Sequence, residues 1–198
     1  MPAENDEQFE SWKALKPGSA YAVKELRDVF EADDASPEEL IDTYLFAKRS
    51  LARSMQALLL SQLPAECDEF REVCERIREE MVNRYADRIP ERFLKVPYGS
   101  QAHELLFAIL MRSVGKPVDS ALLRVSTSDN VHTERRTREL RELGLSIATS
   151  EVDGNQFYTL VDLEVDSAVI PSLVAKVIGK STALTSAHKR DLIAKLPE

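Results

Sequence analysis

Ten consecutive residues, Thr133 to Glu142, hold four arginines and three glutamates, and a polar run containing Asn130 and His132 stands directly ahead of them. These side chains can read base edges. A guanidinium donates two parallel hydrogen bonds to guanine, an asparagine exchanges two with adenine, and a threonine methyl packs on thymine. Asn130, His132, Thr133, Arg135, Arg136 and Arg138 are the candidate contacts, because base-reading helices work mainly through their first turns. Thr133 and Arg136 each have a second reading as groups turned toward the core. The arginines as a set also have one. Glu134, Glu139 and Glu142 leave this stretch a net charge of only +1, and such alternation suits a solvated face held by weak ion pairs within the helix.

The elements around these residues decide how they would be presented. Leu105, Leu106, Ile109, Leu110 and Val114 recur at helical intervals and predict an amphipathic helix from about Ser100 to Val114, ended by Gly115. After Pro117, the apolar residues Val118, Leu122, Leu123 and Val125 predict a second, short helix. The run Ser126 to Asn130 is turn and capping chemistry, so a third helix starts near Val131 with Thr133, Thr137, Leu140 and Leu143 on its inward face. Gly144 stops it. Two β-prone runs, Ser146 to Ser150 and Gln156 to Val161, flank a loop of Asp153, Gly154 and Asn155 and predict a hairpin. Helix, turn, helix, hairpin is the order of a winged helix. Asn155 and Gln156 near the hairpin tip could meet phosphate or the minor groove, and they equally suit a turn with no ligand.

The stretch RRTRELRELGLSIATS, followed by FYTL, resembles the winged-helix region ahead of the nuclease domain in HNH-type restriction endonucleases. The resemblance covers between a quarter and a third of the chain. It implies a double-stranded DNA partner and a target-recognition role, with a modified base as a compatible target that nothing in the sequence specifies. Ser186 to Leu196 (SAHKRDLIAKL) is similar to the helical lead-in to such a nuclease, but no nuclease motif follows it. The implied protein is therefore a specificity domain partnered by a nuclease domain, rather than a self-sufficient enzyme.

Charge restricts the DNA hypothesis. The chain of 198 residues has a net charge of −8, divided as −7 over residues 1–96, −3 over 97–165 and +2 over 166–198. Non-specific affinity for DNA rests on neutralising phosphates, so the acidic balance argues against a protein that coats DNA generally. It does not argue against a site-specific reader with a few focused arginines. Lys176, Lys180, Lys189, Arg190 and Lys195 either extend that basic face or serve as ordinary surface residues.

Four segments follow from these patterns: a polar tail over 1–18, a helical domain over 19–96, the winged helix over 97–165, and a helical extension over 166–198. The expected fold class is mainly α with a small β-hairpin. Within the helical domain, apolar spacing predicts one helix over Ala20 to Phe30. A second is opened by the Ser36, Pro37, Glu39 cap, and a third runs from about Ala65 to Tyr85. The last two are expected to form an antiparallel hairpin around Pro64, packed internally or against a second copy. Asp87 to Tyr98, with Pro90 and Pro97, reads as a linker.

Catalytic chemistry has little support. Cys67 and Cys74 are two helical turns apart, too far for a disulfide, and read as reduced thiols of a cytoplasmic protein. His103, His132 and His188 lack ligand spacing, so no metal or other cofactor is expected. Asp162, Glu164 and Asp166 alternate along a strand without a nearby catalytic lysine and are more simply solvent-facing. No apolar run is long enough for a membrane span. The competing class is a winged-helix protein-interaction or transcription-regulator module that dimerises through the helical hairpin.

Overall fold

The computed structural model describes residues 6–128 and 133–196. In chain order its helices are α1 (Asp6–Glu31), α2 (Pro37–Leu60), α3 (Asp68–Tyr85), α4 (Gln101–Met111), α5 (Ser120–Ser126), α6 (Thr133–Glu142), α7 (Ile170–Lys180) and α8 (Ser186–Ile193). The strands are β1 (Val118–Asp119), β2 (Leu145–Val152) and β3 (Asn155–Val165), in one antiparallel sheet ordered β1-β3-β2. The chain is thus mainly helical with a small sheet. It divides into two compact units: Met1–Glu66 with Ala121–Thr133, and Cys67–Ser120 with Glu134–Glu198.

The first unit is built on a hairpin of α1 and α2. Ser36 caps α2 by accepting from the Glu39 N–H at 3.1 Å, and Pro37 takes the first turn, where its missing N–H costs nothing. The seam between the helices is made of small side chains. Ala22, Ala47, Ser54 and Ala57 are buried, and the Ser19 hydroxyl donates to the Ser50 carbonyl at 3.2 Å. Large apolar residues lie outside this seam, with Tyr21, Phe30, Ile41, Tyr44 and Phe46 about half exposed or more. Gln56 ties α2 to the end of α5. Its amide donates to the Ser126 carbonyl at 2.7 Å and accepts from the Ser128 hydroxyl.

Two expectations are corrected in this region. Residues 6–18 are helical, and α1 runs through Pro17, which leaves the Lys13 carbonyl without its usual N–H partner. Both residues are exposed, so water can satisfy that carbonyl. The helical hairpin joins α1 to α2, while α2 and α3, on either side of Pro64, fall in different units. The reason lies in side-chain size. α1 and α2 share a small-residue seam, whereas α3 presents Phe70, Val73, Ile77, Met81 and Tyr85, which need a deeper core.

The second unit supplies that core. Leu106, Phe107 and Leu110 of α4, Leu140 and Leu143 of α6, Tyr158 and Leu160 of β3, and Leu173, Val174 and Ile178 of α7 are all buried, and the Phe70 and Phe107 rings lie 5.3 Å apart. The segment read as a linker belongs here as well. Ile89, Phe93, Leu94 and Tyr98 are buried, and a 3-10 turn at Glu91–Phe93 packs on α7. Four large apolar side chains in twelve residues outweigh the two prolines, which suit turns as well as linkers. Cys67 and Cys74 are free thiols, and burial pushes both up to about 11.

Val118, assigned to a helix by its spacing, instead opens β1 opposite Tyr158, and α5 begins two residues later. A buried β-branched residue beside an existing strand gains more from the sheet than from a helix terminus. At the far end of the sheet, Asp153 (φ 52°) and Gly154 (φ 76°) close a two-residue turn between the paired residues Val152 and Asn155. Two consecutive positive φ values match the right-handed twist of the flanking strands.

Gly144 connects α6 to β2 at φ +93°, and a Cβ there would stand 2.7 Å from the Asp166 carbonyl oxygen. Both the backbone conformation and the contact demand glycine. Gly144→Ala is therefore expected to destabilise the protein by about 1–3 kcal/mol. Equilibrium unfolding in urea measures this, and an unchanged midpoint would mean that the Asp166 backbone yields freely.

Candidate nucleic-acid interface

α6 buries one face completely and holds its arginines on the other. Thr133, Thr137, Leu140 and Leu143 are between 0 and 2% exposed, as their spacing predicted. Thr133 takes the inward alternative, with its hydroxyl 2.8 Å from that of Thr127. The arginine side chains remain accessible: Arg135 is 57% exposed, Arg136 35% and Arg138 65%.

Glu139 organises these arginines, although it counted only as a neutralising charge in the sequence. Its side chain is 7% exposed. One carboxylate oxygen accepts from Arg135 Nε at 3.0 Å, and the other accepts from Arg136 Nη1 at 2.8 Å and from His103 Nε2 at 3.0 Å. His103 lies on α4, where its Nδ1 stands 2.7 Å from the Ser100 hydroxyl and accepts from the Ser100 N–H at 3.4 Å. These partners fix the tautomer with the proton on Nε2. Burial holds the imidazole below its ordinary pKa, the Arg136 charge acts in the same direction, and the pull of Glu139 upward is smaller. Burial pushes the Glu139 carboxyl up, but hydrogen bonds from His103, Arg135 and Arg136 prevail and hold it below the usual value. A neutral histidine thus donates to an ionised carboxylate, which steers two guanidinium groups.

This arrangement occupies only the Nε–H of Arg135. Its terminal amino groups have no partner among the described residues. They form the paired donor that guanine O6 and N7 require, on a side chain whose stem is already constrained. Immobilising it beforehand reduces the rotamer entropy lost on binding.

The end of α6 carries a second carboxylate hub. Glu142 accepts from the Tyr98 hydroxyl and the Lys176 ammonium, and Arg138 Nε stands 3.9 Å away. Burial pushes this carboxyl up, while Lys176 and Tyr98 hold it below its ordinary range. Glu139 and Glu142 therefore anchor α6 to α4 and α7 rather than lining a solvated face.

The remaining candidates are placed separately. Asn155 and Gln156 stand exposed at the hairpin tip, where Asn155 donates to the Asp153 carbonyl at 3.4 Å and Gln156 accepts from the Tyr158 hydroxyl at 3.0 Å. No residue from Ala148 to Gln156 is buried, so the tip projects as a free ribbon. Asn130 and His132 lie outside the described residues. Asp162 accepts from the Glu164 N–H and Asp166 from the Ala168 N–H, so both act as local backbone caps. Among the described residues no three His, Cys, Asp or Glu side chains gather as a metal-binding group, and no helix is long and apolar enough to cross a membrane.

Residues 103–167 match the family model of the KpnI N-terminal domain. That third of the chain holds all but the first two residues of α4, then α5, α6 and the whole sheet, together with His103 and Glu139, and is similar there to a domain of a restriction endonuclease family. No curated protein and no solved structure matches the chain.

Proposed function

We propose that the chain recognises a specific double-stranded DNA site as the target-reading part of an HNH-type restriction endonuclease. Residues 97–165 form the winged helix, α6 enters the major groove, and the β2–β3 hairpin lies beside it as the wing. The observation that carries this reading is the Glu139 hub, which orders Arg135 and Arg136 while leaving the donor pair of Arg135 free. Arg135, Arg136 and Arg138 read bases together with Asn130 and His132, while Asn155 and Gln156 meet the backbone or minor groove. Thr133 supports the start of the helix through its buried hydroxyl. No residue of this chain is assigned to cleavage.

Selection from random duplexes, with and without methylated bases, tests the reading. Enrichment of one sequence, bound more weakly as salt rises, is expected. Failure to enrich any sequence at low salt rejects it. A second reading, a regulator that pairs through the α1–α2 hairpin, is favoured by the outward Tyr21, Phe30, Ile41 and Tyr44. A dimer that enriches no DNA would be its signature.

A further inference from the structure

A groove of about 590 Å³ lies between the loop after the 3-10 turn and the C-terminal end of α7, outside residues 103–167. Its polar walls are Arg92, Lys95, Lys180, Ser181 and Thr182. It holds three cations and two hydroxyls but no carboxylate, in a chain whose net charge is −8. None of the three cations lies within ion-pair distance of a carboxylate among the described residues. Arg92 instead stacks over the Phe93 ring at 4.9 Å, and Lys180 lies 5.3 Å from the centre of the Tyr98 ring. An adjoining hollow adds Arg78 and Glu91 to the side shared with Arg92 and Lys95. Arg78 is engaged by Glu75 at 2.8 Å, so the unpaired positive charge is concentrated in the groove itself.

Tyr98 locates the groove relative to α6. Its hydroxyl donates to Glu142, the last residue of α6, and its ring carries both Lys176 and Lys180. The groove therefore opens beside the C-terminal end of α6, and Arg135 lies toward the other end. α6 has ten residues and is about 15 Å long at 1.5 Å per residue, while the major groove is about 12 Å wide. With the first turns of such a helix at base edges, its far end reaches the sugar-phosphate wall. Cations and hydroxyls in a groove whose own lining holds no carboxylate, with Glu91 confined to the adjoining hollow, suit the phosphodiester oxygens found there.

We propose that the Arg92, Lys95, Lys180 groove is a phosphate-binding site that clamps the backbone of the same duplex whose bases α6 reads. This rests on the DNA-reading role of α6. It assigns a separate task to residues outside the family match: sequence-independent grip, and the register in which α6 is presented.

The test uses the full chain and two duplexes, the selected site and a scrambled one, with affinities measured across a salt series. The triple variant Arg92→Gln, Lys95→Gln, Lys180→Gln is expected to weaken both duplexes alike and to reduce the salt slope by about one per cation removed. A charge-keeping variant, Arg92→Lys with Lys95→Arg and Lys180→Arg, is expected to retain the slope, which separates charge from folding. If the neutral variant keeps its slope and affinity, the clamp is overturned while the α6 reading stands. If the parent chain binds no duplex, both fall. Binding of a free mononucleotide that depends on these residues, with duplex affinity unchanged, overturns the DNA backbone as the occupant.

Discussion

Arg135→Ala is expected to weaken binding to the selected duplex by about 1–3 kcal/mol and to relax preference at one base pair. Non-specific duplex affinity should change little by comparison, because removing a base contact takes away discrimination rather than most of the phosphate attraction. The expectation is sharpened by Glu139, which fixes Arg135 through Nε and leaves the terminal amino groups available. Lysine at this position retains the charge but cannot donate as a planar fork, so Arg135→Lys should lose the preference while keeping much of the affinity. Competition binding against a panel of single-base variants reads both effects. If Arg135→Ala discriminates among them as the parent does, Arg135 is not a base reader.

The second large effect concerns the His103–Glu139 pair and acidity. The folded state holds His103 below its ordinary pKa near 6.5, so the unfolded chain takes up that proton first as pH falls. Stability from this source is complete above about 6.5 and is lost as pH falls from there through the lowered folded value. Glu139, also held below its ordinary value near 4.3, adds stability above that pH which is lost on further acidification. Both act in the same direction, so the melting temperature should decline from pH 7.5 toward pH 5 and decline further below that. His103→Gln should flatten the upper part of the profile and leave the lower part. Glu139→Ala leaves the buried His103 N–H without an acceptor, a loss of about 1–3 kcal/mol at neutral pH. A melting temperature independent of pH between 7.5 and 5 contradicts the neutral, buried state of His103.

Local patterns made α6 and the hairpin that follows it legible. The spacing of Thr133, Thr137, Leu140 and Leu143 identified the buried face of α6, and Gly144 and the Asp153–Gly154 pair marked the helix end and the hairpin turn. Pairings distant in sequence were not legible. Val118 is a helix former or a strand opener according to whether Tyr158 stands opposite it, and Tyr158 is forty residues away. Glu139 looked like one member of a charged alternation because its proximity to Arg135 and Arg136 is local, while its burial depends on His103 in another helix. The prolines at 90 and 97 masked four core residues between them and around them. Arg92, Lys95 and Lys180 show no pattern at all in the sequence, since the groove exists only where the chain meets itself after more than eighty residues.

The small seam of α1 and α2 has a thermodynamic corollary. Denaturant sensitivity and the heat-capacity change of unfolding both scale with the surface newly exposed to water. In the α1–α2 hairpin Tyr21, Phe30, Ile41, Tyr44 and Phe46 are already about half wet when folded, and the fully buried residues of the two helices are alanine and serine. Its opening therefore carries a shallow urea dependence and a small heat-capacity increment. The second unit, with phenylalanines, tyrosines and leucines enclosed, has a steep dependence and a large increment. Amide hydrogen exchange across a urea series should separate the two units, with exchange in α1 and α2 nearly insensitive to low urea and exchange in α3, α4 and α7 strongly promoted by it.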